Sequence, residues 1–539
     1  MAEANQGHDA DVIVIGAGIV GATAAWRLAS AGVSVLMVEA GAEVNRGKAL
    51  IRFRAHPENG VNAPYEVLPS APYPTADNAH YLNAGPDKFI GSYTRVVGGT
   101  SWHWTGFGTR FFPADFRSRS LYGVGEDWPI GYDDMVPYYQ RIESFWGVAG
   151  PTENALDAPR DTAYPMPEIP LTWLDRQVAE AVHGMGLSVR AWPHLRNSVV
   201  FDGRPPCCGN ASCVPICPIG AKLDGSHIVG KAKAAGAKLL NPATVFRLVV
   251  DNDGRITEAH CRRPDGEETK LRARHFVVAC HAIETPRLLL MSRDDRLPQG
   301  IANSSDTVGR YLMSQGSIDS RGLVAKPVWP YRGPTTTGGI WEYRDGEGRK
   351  KRAAIGISML NRGFRAATGP IDRASDLIHQ GLVGKALAER LSEQCARELV
   401  LNVSAETLPE ADNRVTLSEH QDESGLPRPQ VFFRMDDYTR DGLAFGAGLQ
   451  EKILRQMGAD EVDSDPAGLS VAIMAGSTRM GDDAGRSVVD SHCRSHDHDN
   501  LWILGTSVFP TAPVSPPTVT AGALALRAAD QLLDSLRKG

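Results

Sequence analysis

Four of the chain's eight cysteines, Cys207, Cys208, Cys213 and Cys217, fall within the stretch GRPPCCGNASCVPICPIGAK. Thiols gathered this closely can ligate a metal centre or pair as disulfides. The spacing C-C-x4-C-x3-C lacks the C-x2-C pairs with a long gap between them that structural zinc uses. It closes on C-x3-C-P, as a bacterial ferredoxin run does, and thiolates alone satisfy an iron–sulfur cluster. Gly209, Asn210, Ala211 and Gly220 are small or turn-forming, so the loop can curl around a cluster with its amides toward sulfide. The competing expectation is a vicinal disulfide or two loop disulfides, which synthesis in a reducing compartment disfavours. Cys261, Cys280, Cys395 and Cys493 are scattered and read as ordinary buried or semi-buried thiols.

A second set of residues suits a nucleotide. Gly16, Gly18 and Gly21 form G-x-G-x-x-G: the first permits a tight turn, the second lets a pyrophosphate approach the backbone, and the third lets helix pack on strand. The motif needs a strand before it and a helix after it, and both are present. DVIVI (Asp11 to Ile15) is short, apolar and β-branched, and the residues after Gly16 have helical periodicity. The amides of the helix N-terminus then face the phosphates. A second strand, SVLMVEAG, carries Glu39, placed to accept hydrogen bonds from ribose hydroxyls and to disfavour a 2′-phosphate. The fingerprint predicts a dinucleotide and does not separate FAD from NAD. The loop DSHCRSHDHDN (Asp490 to Asn500) gathers His492, His496 and His498 and is read as a solvated turn rather than a metal site.

The elements that position these groups belong to a long chain. Its 539 residues, 42% hydrophobic, predict two or three lobes around large cores. With 57 Lys and Arg against 63 Asp and Glu, the formal charge of -6 gives no reason to expect nucleic acid or an anionic membrane as partner. No apolar run approaches the ~18 residues of a membrane span. The opening MAEANQGHDA lacks the order of a secretory signal, so a cytoplasmic location is expected unless a partner carries the chain elsewhere. No internal repeat is visible, and the Pro-rich stretch from Ala325 to Gly339 marks a lobe junction.

Several stretches resemble the glucose-methanol-choline (GMC) family of FAD-dependent oxidoreductases: RVVGGTSWHW (Arg95 to Trp104), DWPIGYDDMVPYYQRIE (Asp127 to Glu143), HFVVACHAIETPRLLLMS (His275 to Ser292) and the C-terminal NLWILGTSVFPTAPVSPPTVTAGALALRAADQLL. The resemblance implies an α/β fold with a Rossmann-like FAD-binding lobe and a substrate lobe on a mostly antiparallel sheet. The expected boundaries are 8–160, 225–310 and 465–539 for the FAD lobe, 196–224 for the cysteine-rich loop and 311–464 for the substrate lobe. It implies FAD contacts at Gly16, Gly18, Gly21, Glu39, Ala40, Gly98, Gly99, Thr100, Trp102, Val245, Ala279, Gly505 and Thr518. The closing helix, near Thr518 to Thr520, would aim its N-terminus at the flavin pyrimidine and favour negative charge there.

Within the family, the loop resembles that of a bacterial branch comprising the catalytic subunits of FAD-dependent glucose, fructose and gluconate 2-dehydrogenases. That likeness implies a three-iron (3Fe-4S) cluster on Cys207, Cys213 and Cys217, with Cys208 spare or an alternative ligand. It also implies a small co-exported chaperone-like subunit, a cytochrome c subunit as electron acceptor and hence a possible periplasmic location. The chain departs from the family where alcohols lose their proton. In VAIMAGSTRMG the position of the family's His base holds Ile473, preceded by Ala472, and in PPTVT the position of its Asn partner holds Pro516. Neither side chain can accept a proton. Ser515 and His103 are the nearby substitutes, each with a structural alternative, capping for Ser515 and packing for His103. The expectation is an FAD- and iron–sulfur-dependent dehydrogenase acting on a CH–OH group of a sugar-like or other small hydroxylated molecule. The alternative is a GMC-fold flavoprotein that serves as a scaffold or acts on a non-alcohol substrate, and a lyase ranks last because it too needs a base.

Overall fold

Residues 12–15 are apolar without alternation, as a parallel strand covered on both faces requires. They form β1 (Ala10–Ile15), which passes at Gly16 to Gly18 into helix α1 (Ile19–Ala29) and returns as β2 (Val35–Val38). The computed structural model describes residues 7–56, 80–152, 157–210, 212–361, 370–470 and 473–538, so Ala211 and Ala472 lie outside the described residues. Helix α2 (Tyr132–Trp146) and helix α3 (Gly225–Ala234) pack beside this unit, and β3 (Lys238–Leu240) extends the sheet parallel to β2.

The next three strands, β4 (Thr244–Val250), β5 (Ile256–Arg262) and β6 (Glu268–Val278), form an antiparallel meander. Strand β6 serves two layers. Its first half pairs with β5, and its second half runs parallel to β1 with Val12 opposite His275 and Ile15 opposite Val278. Helix α4 (His281–Met291) follows.

The chain then builds a second sheet from β7 (Gln315–Leu323), β8 (Gly338–Ile340), β9 (Ile355–Met359) and β10 (Glu398–Glu406), paired in the order β7-β10-β9-β8 and antiparallel at each step. Arg190–Ala191 extends the β8 edge, while Val462–Ser464 and Gly468–Leu469 pair along β7. Helix α5 (Asp437–Gln456) covers this sheet closely: a Cβ at Gly446 would lie 2.4 Å from Val403. Strand β11 (Leu501–Ile503) re-enters the first sheet parallel to β6, and helix α6 (Thr518–Lys538) ends the chain against α1 and α2. The sheet order β3-β2-β1-β6-β11 is therefore parallel throughout, and ligands of such sheets lie beyond the carboxyl ends of the strands. Among the described residues no helix is long and apolar enough to cross a membrane.

Candidate active site and cysteine pocket

Beyond those carboxyl ends lies a cleft, and Gly16, Gly18, Glu39, Ala40, Gly99, Thr100, Val245, Ala279, Gly505 and Thr518 all line it. The glycines act as the fingerprint requires. Gly16 has φ +99°, and a Cβ there would meet the Ala279 carbonyl at 2.6 Å. A Cβ at Gly18 would meet nothing within 4 Å, which leaves open space at the start of α1 where a phosphate would approach. Gly98 and Gly99 have φ of +97° and +61°, and a Cβ on Gly99 would stand 3.1 Å from Gly18 Cα, so the Gly-Gly-Thr turn closes over the first motif. Pro517, Thr518 and Ala521 bring the first turn of α6 to the same wall. This glycine cradle, with a carboxylate beyond it and a helix N-terminus opposite, fits FAD.

Glu39 is nearly buried, and its two oxygens accept the amides of Ala17 and Gly41, each at 2.9 Å. Burial pushes its carboxyl up to about 7 despite those donors. Gly21, Gly98 and Trp102 do not line the cleft. A Cβ on Gly21 would lie 2.1 Å from the Gly16 carbonyl, so this glycine sets the approach of α1 to the turn. Gly98 abuts the first turn of α3, where a Cβ would lie 2.5 Å from Ser226 N. Trp102 turns into a small apolar cluster with Val96 and Ile216, its indole donating to the Val97 carbonyl at 2.9 Å and its face covered by the Arg46 guanidinium. Trp104 takes the place at the cleft, its Nε1 donating to the Leu223 carbonyl at 2.7 Å.

Sequence reasoning missed a half-buried ionic cluster on one wall. Glu284 on α4 accepts from Tyr93 at 2.5 Å, Arg95 at 2.6 Å and Arg287 at 3.0 Å, and Arg287 reaches Asp422 at 2.6 Å. Burial alone would push the Glu284 carboxyl up, but Arg95 and Arg287 hold it well below the usual carboxylate range. The i, i+3 spacing of Glu284 and Arg287 was a visible hint of this pair. His281, at φ +53°, also lines the cleft against the Tyr93 ring, and burial pushes its imidazole down to about 4.

Ile473 and Met474 line the cleft, so the position of the family's base is at the cofactor wall and holds an aliphatic side chain. Pro516 is not on that wall, and its carbonyl accepts from Thr109 Oγ1 at 3.4 Å. Neither substitute reaches the cleft. The His103 ring lies 2.9 Å from Thr94 Oγ1, and burial, helped by Lys222, pushes it down to about 3, too low for a base at neutral pH. Ser515 is buried, and its hydroxyl has no hydrogen-bond partner among the described residues. The three histidines of the 490–500 loop are separately occupied: His496 with Ser487, His498 with Gly254 and Ala302, and His492 with Ser491 and Arg527.

Cys207, Cys208, Cys213 and Cys217 line a single small pocket, with Arg196 and Lys222 as its cationic wall. None of the eight cysteines is paired in a disulfide. Among the described residues no group of three or more His, Cys, Asp or Glu side chains converges to hold a metal ion. Burial pushes the Cys207 thiol up; it would do the same at Cys213, but Arg196 and Lys222 pull that thiol below its ordinary value. Burial draws the Lys222 ammonium down to about 8. The pocket adjoins the cleft, since Lys222 Nζ donates to the carbonyls of both Cys213 and Trp104.

Comparison with known proteins agrees with this geometry. The GMC oxidoreductase family profile matches residues 409–525, and an FAD dependent oxidoreductase profile matches residues 11–49. The chain is 36% identical to the fructose dehydrogenase large subunit of Gluconobacter japonicus, an alignment covering 99% of this chain and 100% of that one. It is 31% identical to the 6'''-hydroxyparomomycin C oxidase of Streptomyces lividus over 96% of this chain and 90% of that one. A formate oxidase variant from Aspergillus oryzae shares the fold, with a TM-score of 0.64 at 16% identity over 99% of this chain and 100% of that one. Likeness that runs the full length of both chains, with a flavin fingerprint at its start, establishes that the chain belongs to the GMC oxidoreductase family and is an FAD-dependent oxidoreductase.

Proposed function

We propose that this protein oxidises a CH–OH group of a sugar-like or other small hydroxylated molecule and sends the electrons through an iron–sulfur cluster, held by Cys207, Cys213 and Cys217, to a partner protein rather than to oxygen. The observation that carries this reading is the adjacency of the two compartments: Lys222, which lines the cysteine pocket, donates to the carbonyl of Trp104, which lines the FAD cleft. FAD, when bound, supplies the acceptor for the two electrons leaving the substrate carbon. The chain's own part is to orient the cofactor through the glycine turns, to meet ribose hydroxyls with Glu39, and to oppose the closing helix's N-terminus to negative charge. Four cysteines lining one pocket offer the thiolate ligands that an iron–sulfur cluster would need. By likeness to a relative that is a large subunit, we propose a cytochrome c as acceptor and a small co-exported subunit that brings the chain to the periplasm.

A second reading, a flavoprotein that oxidises no alcohol, is favoured by Ile473 at the cleft wall and Pro516 beyond it. Loss of a general base removes about 10² to 10⁴ in rate. Anaerobic absorbance titration of the purified protein with fructose, other sugars, polyols and simple alcohols separates the two. Bleaching of the flavin bands by one compound is expected. Flavin that stays oxidised with every compound yet is reduced by dithionite would favour the second reading. Iron analysis of anaerobically prepared protein tests the cluster, which is expected to be lost when Cys207, Cys213 and Cys217 are all changed to Ser.

A further inference from the structure

Lys222 and Arg196 are each 1% exposed, and among the described residues neither forms an ion pair with a carboxylate. The Lys222 ammonium donates to three carbonyls, Trp102 at 2.7 Å, Trp104 at 2.8 Å and Cys213 at 2.8 Å, which uses all its hydrogens. Arg196 lies 3.8 Å from Cys213 Sγ through Nη1, while Nη2 donates to the Thr336 carbonyl at 2.7 Å and abuts the His194 ring. Asp224, the nearest acid in sequence, is engaged with Arg46. Carbonyl dipoles solvate a buried cation without neutralising it, so two such cations at one spot are costly unless an anion shares the pocket. The other groups lining that pocket are the four cysteines and neutral residues.

Resting on the cluster reading above, we propose that Lys222 and Arg196 are positioning residues that hold an anionic iron–sulfur centre in the cysteine pocket and raise its reduction potential, Lys222 also fixing the pocket against the Trp104 wall of the FAD cleft. Adding one electron makes the centre one unit more negative, and fixed cations in a medium of low dielectric constant stabilise the reduced form more than the oxidised one.

The test compares wild type with Lys222→Met, Arg196→Gln and Arg196→Lys, all purified anaerobically with flavin bound. Iron and flavin are quantified per chain, and the cluster's EPR signal is followed during a potential-controlled titration with dithionite. Wild type is expected to hold iron. K222M and R196Q are expected to keep their flavin and to show a midpoint lower than wild type, while R196K stays near wild type. Selective loss of iron from K222M with flavin retained supports the same role. Should K222M fail to fold, as loss of flavin would reveal, R196Q against R196K decides. Iron-loaded K222M and R196Q with midpoints unchanged overturn the proposal and leave the cluster reading intact. Wild type without iron overturns both.

Discussion

Glu39 is a carboxyl buried between two backbone amides, with its pKa raised from 4.5 to about 7. A raised carboxyl pKa means that the folded state holds a proton which the unfolded state has released. Its contribution to stability is therefore full below pH 4.5, declines as pH rises to about 7 and stays at its lowest above that. The deflavinated wild type should lose stability relative to Glu39→Gln over that window, by at most on the order of 3 kcal/mol, read from thermal melts at stepped pH. Gly21→Ala would drive a methyl to 2.1 Å from the Gly16 carbonyl, and neither backbone segment can withdraw. A cost of about 1–3 kcal/mol and a fall in flavin content are expected, measured by melting and by absorbance. The pair Ile473→His, at the cleft wall, and Pro516→Asn, beyond it, restores the His and Asn that the family carries at these positions. If alcohol-dependent flavin bleaching appears only in this double variant, the native protein is not an alcohol dehydrogenase.

At the scale of elements, helix α6 owes its place to small residues. A Cβ on Gly522 would stand 2.3 Å from Trp146, and Thr520 meets the Tyr139 hydroxyl at 2.8 Å, so α6 lies close on α2 with its N-terminus at the cleft. Distant segments of the chain are joined by an ion triad. Arg349 donates to Asp115 at 2.9 Å and to Glu406, at the end of β10, at 2.8 Å. All three side chains are buried, so removing the cation would leave two uncompensated carboxylates. Arg349→Met is expected to lower stability by about 3–5 kcal/mol, visible in the melting temperature. The connection reaches the cleft, because Thr407 follows Glu406, exchanges hydrogen bonds with Ser314, and Ser314 in turn donates to the Ile473 carbonyl.

Over the whole molecule, one cofactor cleft draws on segments from Ile15 to Ala521, so ligand binding and folding are linked across the chain. A ligand held by the folded state alone stabilises it in proportion to the logarithm of its concentration. Each tenfold increase in free FAD above its Kd should therefore add about 1.4 kcal/mol, and stripping the flavin should lower the melting temperature.

Local pattern was enough for the first βαβ unit, since strand, glycine turn, helix and terminal acid are contiguous and each glycine's role follows from backbone sterics. The cysteine cluster and the aliphatic residues at the base position were likewise readable as residue types at fixed spacing. Sequence alone did not distinguish Trp102 from Trp104, because which indole faces the cleft depends on the turn beginning at Gly98 and on what packs behind it, here Ile216 and Arg46. Nor could it bring together Tyr93, Arg95, Glu284, Arg287 and Asp422, whose attraction acts only after distant segments have met. The same holds for Lys222 and Arg196. As a sequence they are two ordinary basic residues, and only tertiary burial, which strips them of water without supplying a carboxylate, turns them into the charged wall of a pocket.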